Sequence, residues 1–455
     1  MGDIFEAHIQ EQGGGSIRET GRVKPPARYR WFVLGVFFAF ALLHQADRLL
    51  ISPLTTSIME TFGITRAQMG AVVSGTLLVG SVLFPLWGYL GDRFARARLL
   101  ALASLIWGST TWLSAVAPSY PAFLASRAAT GIDDTSYPGL YSLISDYFGP
   151  QLRGKVYGVL QLTQPLGYLL AMALALLLGA VIGWRSVFYL TAAFGLALAV
   201  VIFLAVREPP RGQSEPELEQ LETLRLYQFD WSKALGVFRK RSLLFLFAQG
   251  FVGVFPWNVI AFWFFAYLET ERNYTGESIL LTMAPVVLVL AAGYVVGGAL
   301  GDFVFQRNRR GRLLVAVTGV LLGAVLLMIA MNIPVEQPLL FFAMLCLTAL
   351  FIPFASANVV STVYDVTLPE VRSTALAIQY FIEEGGSALA PLLAGLIADR
   401  SSLHVAILSI CVTAWMLAAV LLGFAAYLVP RDMEALRRQL RERAEAERAL
   451  QALTT

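Results

Sequence analysis

From residue 31 onward, long apolar runs alternate with short polar breaks. The runs reach twenty or more residues and lack the every-second-residue alternation of a barrel strand. A hydrocarbon core about 30 Å thick takes roughly 20 apolar residues of helix. In lipid, only helices and closed barrels satisfy every backbone polar group. The pattern predicts twelve spanning helices, over 31–57, 66–91, 97–117, 120–148, 153–182, 184–206, 241–268, 277–305, 311–332, 337–366, 371–398 and 402–429. Residues 1–29 are polar, with no apolar stretch ahead of a cleavage site, so no removable signal peptide is expected and the first span is a true helix.

Composition agrees: 57% of the 455 residues are hydrophobic and 14% charged, against roughly 25% charged in soluble domains. Of the 34 Lys and Arg, 28 fall in the tails and in the loops on the side of the termini. Arg66, Arg185, Arg272 and Arg400 lie on the other side, and Arg48 and Arg127 lie inside spans. That bias places both termini in the cytoplasm, in a plasma (inner) membrane protein. It also leaves no soluble basic face for nucleic acid. Cys346 and Cys411 both fall within spans and read as small buried hydrophobes, neither disulfide framework nor metal site.

The longest interior polar stretch divides six spans from six. The expected organisation is a cytoplasmic N-tail (1–29), a six-helix bundle (30–206), a linker (207–240), a second bundle (241–429) and a charged helical tail (430–455). In the linker Leu218, Leu221 and Leu224 share one helical face, which predicts a short interfacial helix.

The two halves repeat. GYLGDRFARAR at 88–98 follows span 2 and GALGDFVFQRNRRGR at 298–312 follows span 8; DYFGPQLR at 146–153 follows span 4 and DVTLPEVR at 365–372 follows span 10. Two parallel repeats predict an all-α membrane protein whose twelve transmembrane helices form two pseudo-symmetric six-helix bundles, the major facilitator fold of secondary transporters. Gly88, Gly91, Asp92, Arg93 and Arg96 in the first copy, Gly298, Gly301 and Asp302 in the second, and the pairs Asp146/Arg153 and Asp365/Arg372 form the candidate gating motif. Its glycines let helices approach closely, and Asp92 is placed to latch onto a neighbouring helix end, such as the N-terminus after Pro369.

Seven ionisable residues fall near mid-membrane in the spans: Asp47 and Arg48 in span 1, Arg127, Asp133 and Asp134 in span 4, and Glu383 and Glu384 in span 11. Each costs roughly 2.5–3.5 kcal/mol on insertion scales, so they must face partners or a wet interior, and they mark a cavity. Helix neighbours point about 100° apart, so Asp47 and Arg48 need partners on other helices. Arg127 and Asp134, seven apart, are expected on one face of a continuous helix. His44, three before Asp47, shares the acid's face, either as a proton relay or as a packed core histidine. Of the adjacent pairs Asp133/Asp134 and Glu383/Glu384, one member each must point away. In span 7, Asn258 with Trp257, Trp263 and Tyr267 offers an apolar wall with one polar handle, suited to an amphipathic substrate.

The DR of span 1, GYLGDR, RAATGIDDTSYPGLYSLISDYF and VREPPRG together resemble the Spinster family of major facilitator transporters, across essentially the first half. The family's span-4 pattern, approximately RxxxGIGEASY, is matched at Arg127, Gly131, Ile132, Ser136 and Tyr137; Asp134 stands where the family has Glu, and Asp133 replaces a glycine. The resemblance implies export of sphingosine-1-phosphate-like lipids or lysophospholipids. The same DR and Arg–acid arrangement also looks like anion:cation symporters that import sugar acids, the alternative reading.

The expected mechanism is alternating access with proton coupling, in a monomer whose partners are an anionic or lipid small molecule, protons and membrane lipids, without cofactor. Asp47, Asp134, His44, Asp133 and Glu384 are the proton-coupling candidates; Arg48, Arg127, Tyr137, Trp257, Asn258, Trp263 and Glu383 are the substrate-binding ones. Substrate that claims an Arg frees the neighbouring acid to take a proton. A primary pump is disfavoured because GPQLRGKV at 149–156 lacks the Ser/Thr of a phosphate loop and joins membrane helices. An enzyme is disfavoured because His8, His44 and His404 are scattered and no HExxH or GxSxG occurs. A channel or lipid sensor is compatible with composition alone.

Overall fold

The computed structural model describes residues 27–134, 136–148, 156, 159–160, 162–209, 240–367 and 372–454, and among them every regular element is helical. The expected linker helix, Arg153 and Pro369 lie outside the described residues, as do the side chains of Asp92 and Arg372.

Eleven helical stretches are long and apolar enough to cross a membrane. In the first half these are α1 (Ala27–Leu50), α3 (Arg66–Arg93), α4 (Arg96–Val116), α7 (Thr163–Ile182, with a π-helical turn at Leu174–Leu178) and α8 (Trp184–Ala205). Expected span 1 is shorter than its apolar run: it stops at Leu50, and a separate short helix, α2 (Thr55–Phe62), follows a turn and ends on Gly63 at φ 62°. A left-handed conformation of that kind suits glycine. Helix α3 starts from a capping box of Thr65 and Gln68.

The remaining span of this half departs from the sequence reading. Residues 120–148 form two eleven-residue helices, α5 (Tyr120–Thr130) and α6 (Tyr137–Tyr147), joined by a turn. Gly131, Asp133, Asp134 and Ser136 are turn formers, and Pro138 restricts the residue before it. At the break the amides of Gly131 and Ile132 bond three residues back, to Ala128 and Ala129, and Ser136 bonds to Asp133. Irregular backbone at this depth survives only where protein buries it or it lines a cavity. Both conditions hold: Trp87 donates its indole N–H to the Ile132 carbonyl, and Thr76 Oγ1 donates to the Arg127 carbonyl at 2.7 Å.

The second half comprises α9 (Arg241–Thr270), α10 (Gly276–Arg307), α11 (Gly311–Met331), α12 (Pro338–Phe351), α13 (Phe354–Val366), α14 (Arg372–Ser387), α15 (Ala390–Arg400) and α16 (Leu403–Thr454). Spans 10 and 11 break at α12/α13 and α14/α15. The span-10 break, beside Pro353, is the repeat's counterpart of the α5/α6 break. Residues 430–454, where a charged helical tail is expected, are helical and run on from the last span without a break at Pro430, within α16.

At the face carrying the repeated motifs, each half closes on an arginine. Arg96, buried at the start of α4, meets Asp146 at 2.6 Å and Glu208 at 2.8 Å, and donates to Ser142. Arg312, at the start of α11, meets Asp302 at 2.7 Å and also Asp365. The sequence repeat is thus a repeat of charge clusters. Glu208 was not anticipated, because it lies past span 6 and only the bundle brings it to α4. Arg93 instead turns to Tyr89 of its own helix. Gly301 lets α10 pack on Asn358, which donates to the Gly297 carbonyl at 2.9 Å. A Cβ at Gly298 would meet only Ala357, and one at Gly91 nothing.

At the opposite face the halves are joined. Asp399 accepts from the amides of Arg66 and Ala67, both at 2.9 Å, Thr56 donates to Glu269 at 2.6 Å, and Ser52 donates to the carbonyls of Ala261 and Phe262. An apolar core cluster runs from Leu50, Leu54 and Phe123 in the first half to Phe262, Trp263 and Leu403 in the second.

Candidate functional site

Between the halves lies a cavity of about 800 Å3. Its lining is lopsided. From the first half come His44, Gln45, Asp47, Arg48, Thr76, Arg127, Asp134 and Gln164; from the second come mainly apolar side chains, among them Trp257, Val286, Val287 and Leu290, with Asn258, Tyr294, Thr348, Glu384 and Ser387 as the polar exceptions.

The charges of the first wall are sorted into pairs that cross between elements. Asp47, buried on α1, faces Arg127 of α5 at 3.6 Å and accepts from Thr191 Oγ1 of α8 at 2.6 Å and Thr111 Oγ1 of α4 at 3.0 Å. Arg48, about a third of a turn further round α1, faces Asp134 at 3.7 Å. Adjacent residues on one helix point away from each other, so the two neighbours in sequence belong to two separate pairs.

Arg127 is held at the end of α5 over the Phe188 ring, 5.4 Å from its centroid, and buried. Its Nε and Nη1 have no hydrogen-bond partner among the described residues. Donors buried in this way cost free energy unless an acceptor reaches them, so the cavity presents an anion-accepting guanidinium. Because span 4 breaks at Gly131, Arg127 and Asp134 do not share the single helical face that their seven-residue spacing predicts. Each serves a different residue of α1.

His44 sits in an aromatic box: Phe40 stacks on it at 5.6 Å, Trp107 meets it edge-on at 5.3 Å, and the Tyr137 hydroxyl lies 3.0 Å from Nδ1. Its Nε2 lies 2.7 Å from Asp133 Oδ2 and 3.6 Å from Asp134 Oδ1. Both carboxylates of the adjacent pair therefore point to the same imidazole. One reason is that they stand on a turn, where neighbours are not held 100° apart. Asp133 is fully buried and does not line the cavity; Asp134 does. Tyr137 stands behind His44, outside the lining.

In the second half, Glu384 lines the cavity within electrostatic reach of Arg48, and Ser387 Oγ lies 3.4 Å from its Oε2. Glu383 points away and accepts from Gln379 at 2.9 Å. Trp257 is half exposed within the cavity. Trp263, expected beside it as a substrate contact, is fully buried instead. Its indole N–H donates to the Pro391 carbonyl at 3.0 Å, so it seals the seam between α9 and α15. Six residues along a helix is a rotation of about 600°, which leaves the two rings about 120° apart, on different faces. Asn258 donates back to Val254 of its own helix at 3.1 Å. Among the described residues no group of three or more His, Cys, Asp or Glu side chains is placed to hold a metal ion.

A model of the Major Facilitator Superfamily matches residues 36–391. Protein spinster of Drosophila melanogaster is 29% identical over 403 residues, 84% of this chain and 64% of its own length, so the match leaves more than a third of that relative uncovered. Protein spinster homolog 1 of Homo sapiens is 26% identical over 390 residues, 81% of this chain and 73% of its own. A probable sulfoacetate transporter of Cupriavidus necator is 25% identical over 298 residues, covering 64% of this chain and 69% of its own. Among solved structures, a bacterial homologue of the human lysosomal transporter Spinster, inward-facing and occupied, superposes with a TM-score of 0.72 at 19% identity, covering 90% of this chain and 98% of the other. At that identity the likeness is one of fold.

Proposed function

The chain belongs to the major facilitator superfamily, a family of transporters and not of enzymes, and from that premise we propose that it is a proton-coupled carrier of an anionic, single-tailed lipid such as a lysophospholipid or a sphingoid phosphate. The observation that carries the reading is the division of the cavity: paired charges on one wall, apolar side chains on the other. An amphipathic molecule fits such a site in one orientation, head toward Arg127 and Arg48, tail along Trp257, Val286 and Leu290.

Coupling follows from competition. An anionic head that takes up Arg127 removes the cation from Asp47, and one that takes up Arg48 does the same to Asp134. A carboxylate left unpaired in a low-dielectric site acquires a proton. Substrate and protons then load together, and the neutralised site permits the halves to rock. The motif face is the cytoplasmic one, in a monomer of the plasma membrane. The Asp399, Thr56 and Ser52 contacts hold the outer side shut, which corresponds to an inward-facing state.

A small organic anion is the second reading, supported by the relative named for sulfoacetate. Reconstitution into liposomes with an imposed pH gradient separates the two. Lysolipid phosphates are expected to move, saturably and with the proton gradient, while sulfoacetate and sugar acids are not. Asp47→Asn and Asp134→Asn are expected to lose gradient-driven transport and keep exchange. Accumulation of the small acids without lipid movement would replace the lipid reading, and unchanged pH dependence in both variants would remove the proton assignment.

A further inference from the structure

Asp133 has no part in the scheme above, yet it is the most deeply placed carboxylate of the site. It is fully buried, closed off from the cavity by His44, and its Oδ1 has no hydrogen-bond partner among the described residues. An ionised carboxylate in that position is expensive unless paired and hydrogen-bonded. Among the described residues its ion-pair contact is His44 Nε2, at 2.7 Å, with Arg48 acting from further off, and the same nitrogen lies 3.6 Å from Asp134, which lines the cavity and faces Arg48.

We propose that His44 and Asp133 form a second proton-holding couple, in which the imidazole Nε2 passes one proton between the sealed Asp133 and the cavity-facing Asp134. The proposal rests on the competition described above for Arg48. While Arg48 holds Asp134, the Nε2 proton is directed to Asp133. When substrate takes up Arg48, Asp134 is the nearest uncompensated anion and draws the Nε2 proton. The ring starts as the imidazolium, with Nδ1–H donated to the Tyr137 oxygen while the Tyr137 hydroxyl faces the Ala41 carbonyl. The N–H bond at Nε2 breaks, an O–H bond forms on Asp134, the neutral ring keeps its Nδ1–H, and Asp133 loses its donor until Nε2 is protonated again. A proton arriving from cavity water at Nε2 restores the imidazolium, so loading on this side of the site takes up one proton beyond that carried by Asp47.

The surroundings favour a moving proton over a static contact. Nδ1 is occupied by the Tyr137 hydroxyl at 3.0 Å, and Phe40 and Trp107 hold the ring plane, so exchange is confined to Nε2. The ionisable groups facing His44 are Asp133 and Asp134 from the span-4 break, Tyr137 from α6 and Asp47 from its own helix; α4 faces it with Trp107. The 3.6 Å between Nε2 and Asp134 Oδ1 exceeds hydrogen-bonding range by only about 0.5 Å, a gap that a small torsional adjustment of the Asp134 side chain closes.

The chain has three histidines, His8, His44 and His404. The full chain, labelled with 15N-histidine and reconstituted in lipid nanodiscs without substrate, therefore gives three imidazole patterns, and the one lost in His44→Asn is that of His44. Titrated from about pH 5 to about pH 9, the His44 midpoint is expected to move by on the order of one pH unit in Asp133→Asn and measurably in Asp134→Asn. A midpoint unchanged in Asp133→Asn overturns the couple. Movement in Asp133→Asn but none in Asp134→Asn means a static structural pair and overturns the proton transfer. Should Asp133→Asn not fold, Asp134→Asn decides alone, since it shares Nε2. The titration needs no substrate, so failure of lipid transport in liposomes sinks the function proposed above and leaves this result standing.

Discussion

Gly131 opens the span-4 break, and an added methyl group there tests whether the break is built by close packing. A Cβ at Gly131 would stand 2.1 Å from the Thr76 carbonyl oxygen and 2.9 Å from the Gly80 amide nitrogen. Both are backbone atoms of α3, so no side chain can swing aside. Ordinary contact begins near 3.4 Å, so the turn and α3 must separate by about 1.3 Å. Overpacking of this kind costs about 1–3 kcal/mol. The same displacement stretches the Thr76–Arg127 hydrogen bond from 2.7 Å to beyond bonding range, which adds about 0.5–1.5 kcal/mol. The total expected for Gly131→Ala is about 2–4 kcal/mol. The control is Gly139→Ala, eight residues on in α6, where a Cβ meets nothing within 4 Å and Ala gains about 0.5–1 kcal/mol over Gly within a helix. The two variants thus carry the same added methyl with opposite signs. For a chain of this size, a kcal/mol shifts the unfolding midpoint by on the order of 1 °C. Thermal unfolding of the two purified proteins in one detergent should place Gly131→Ala about 3–5 °C below Gly139→Ala. Midpoints within about 1 °C of each other would show that α3 and the break are not in backbone contact, and the packing account of the site would fall.

The Asp47–Arg127 pair is expected to behave as a unit. Asp47→Asn and Arg127→Gln should each cost about 3–5 kcal/mol, because each leaves one buried charge unpaired, and the double variant should recover about 1–3 kcal/mol of their sum. Strictly additive losses of stability would mean that the 3.6 Å contact carries no coupling. Trp257 and Trp263 are expected to separate function from stability. Trp263→Ala removes a fully buried ring and the donor to Pro391, for about 3–5 kcal/mol, while Trp257→Ala should keep the wild-type unfolding midpoint and weaken transport of the lipid probe. The reverse pattern in unfolding and liposome assays would show that the two faces of α9 have been interchanged.

Much of the site was legible because the rule that exposes it is local. A charge in an apolar run needs a reason wherever the chain goes, and successive helical residues diverge by a fixed angle. His44, Asp47, Arg48, Arg127 and Asp134 could be singled out, and Asp47 and Arg48 assigned separate partners, before any partner was known. Asp133 carried only a weak signal, as a departure from the span-4 pattern and as one of two adjacent acids. The assumption that one of the two must point away holds inside a helix, and the break removes the helix. Glu383 and Glu384 do stand on a regular helix, and there the adjacent acids diverge.

What the sequence by itself determined is the placing of the apolar segments and their symmetry, though not the breaks in spans 1, 4, 10 and 11: lengths of apolar runs decide which segments are long enough to cross a membrane, and repeated GxLGD and DxxxPxxR loops decide that two halves correspond. Both are set by solvation and by chain-local geometry. Which charge meets which, which of two tryptophans seals and which lines, and that Glu208 completes the Arg96 cluster were decided only by the tertiary structure. Those outcomes depend on how helices distant in sequence rotate and approach, and on a turn whose two carboxylates acquire their direction from the neighbours that α1, α4 and α6 bring to them.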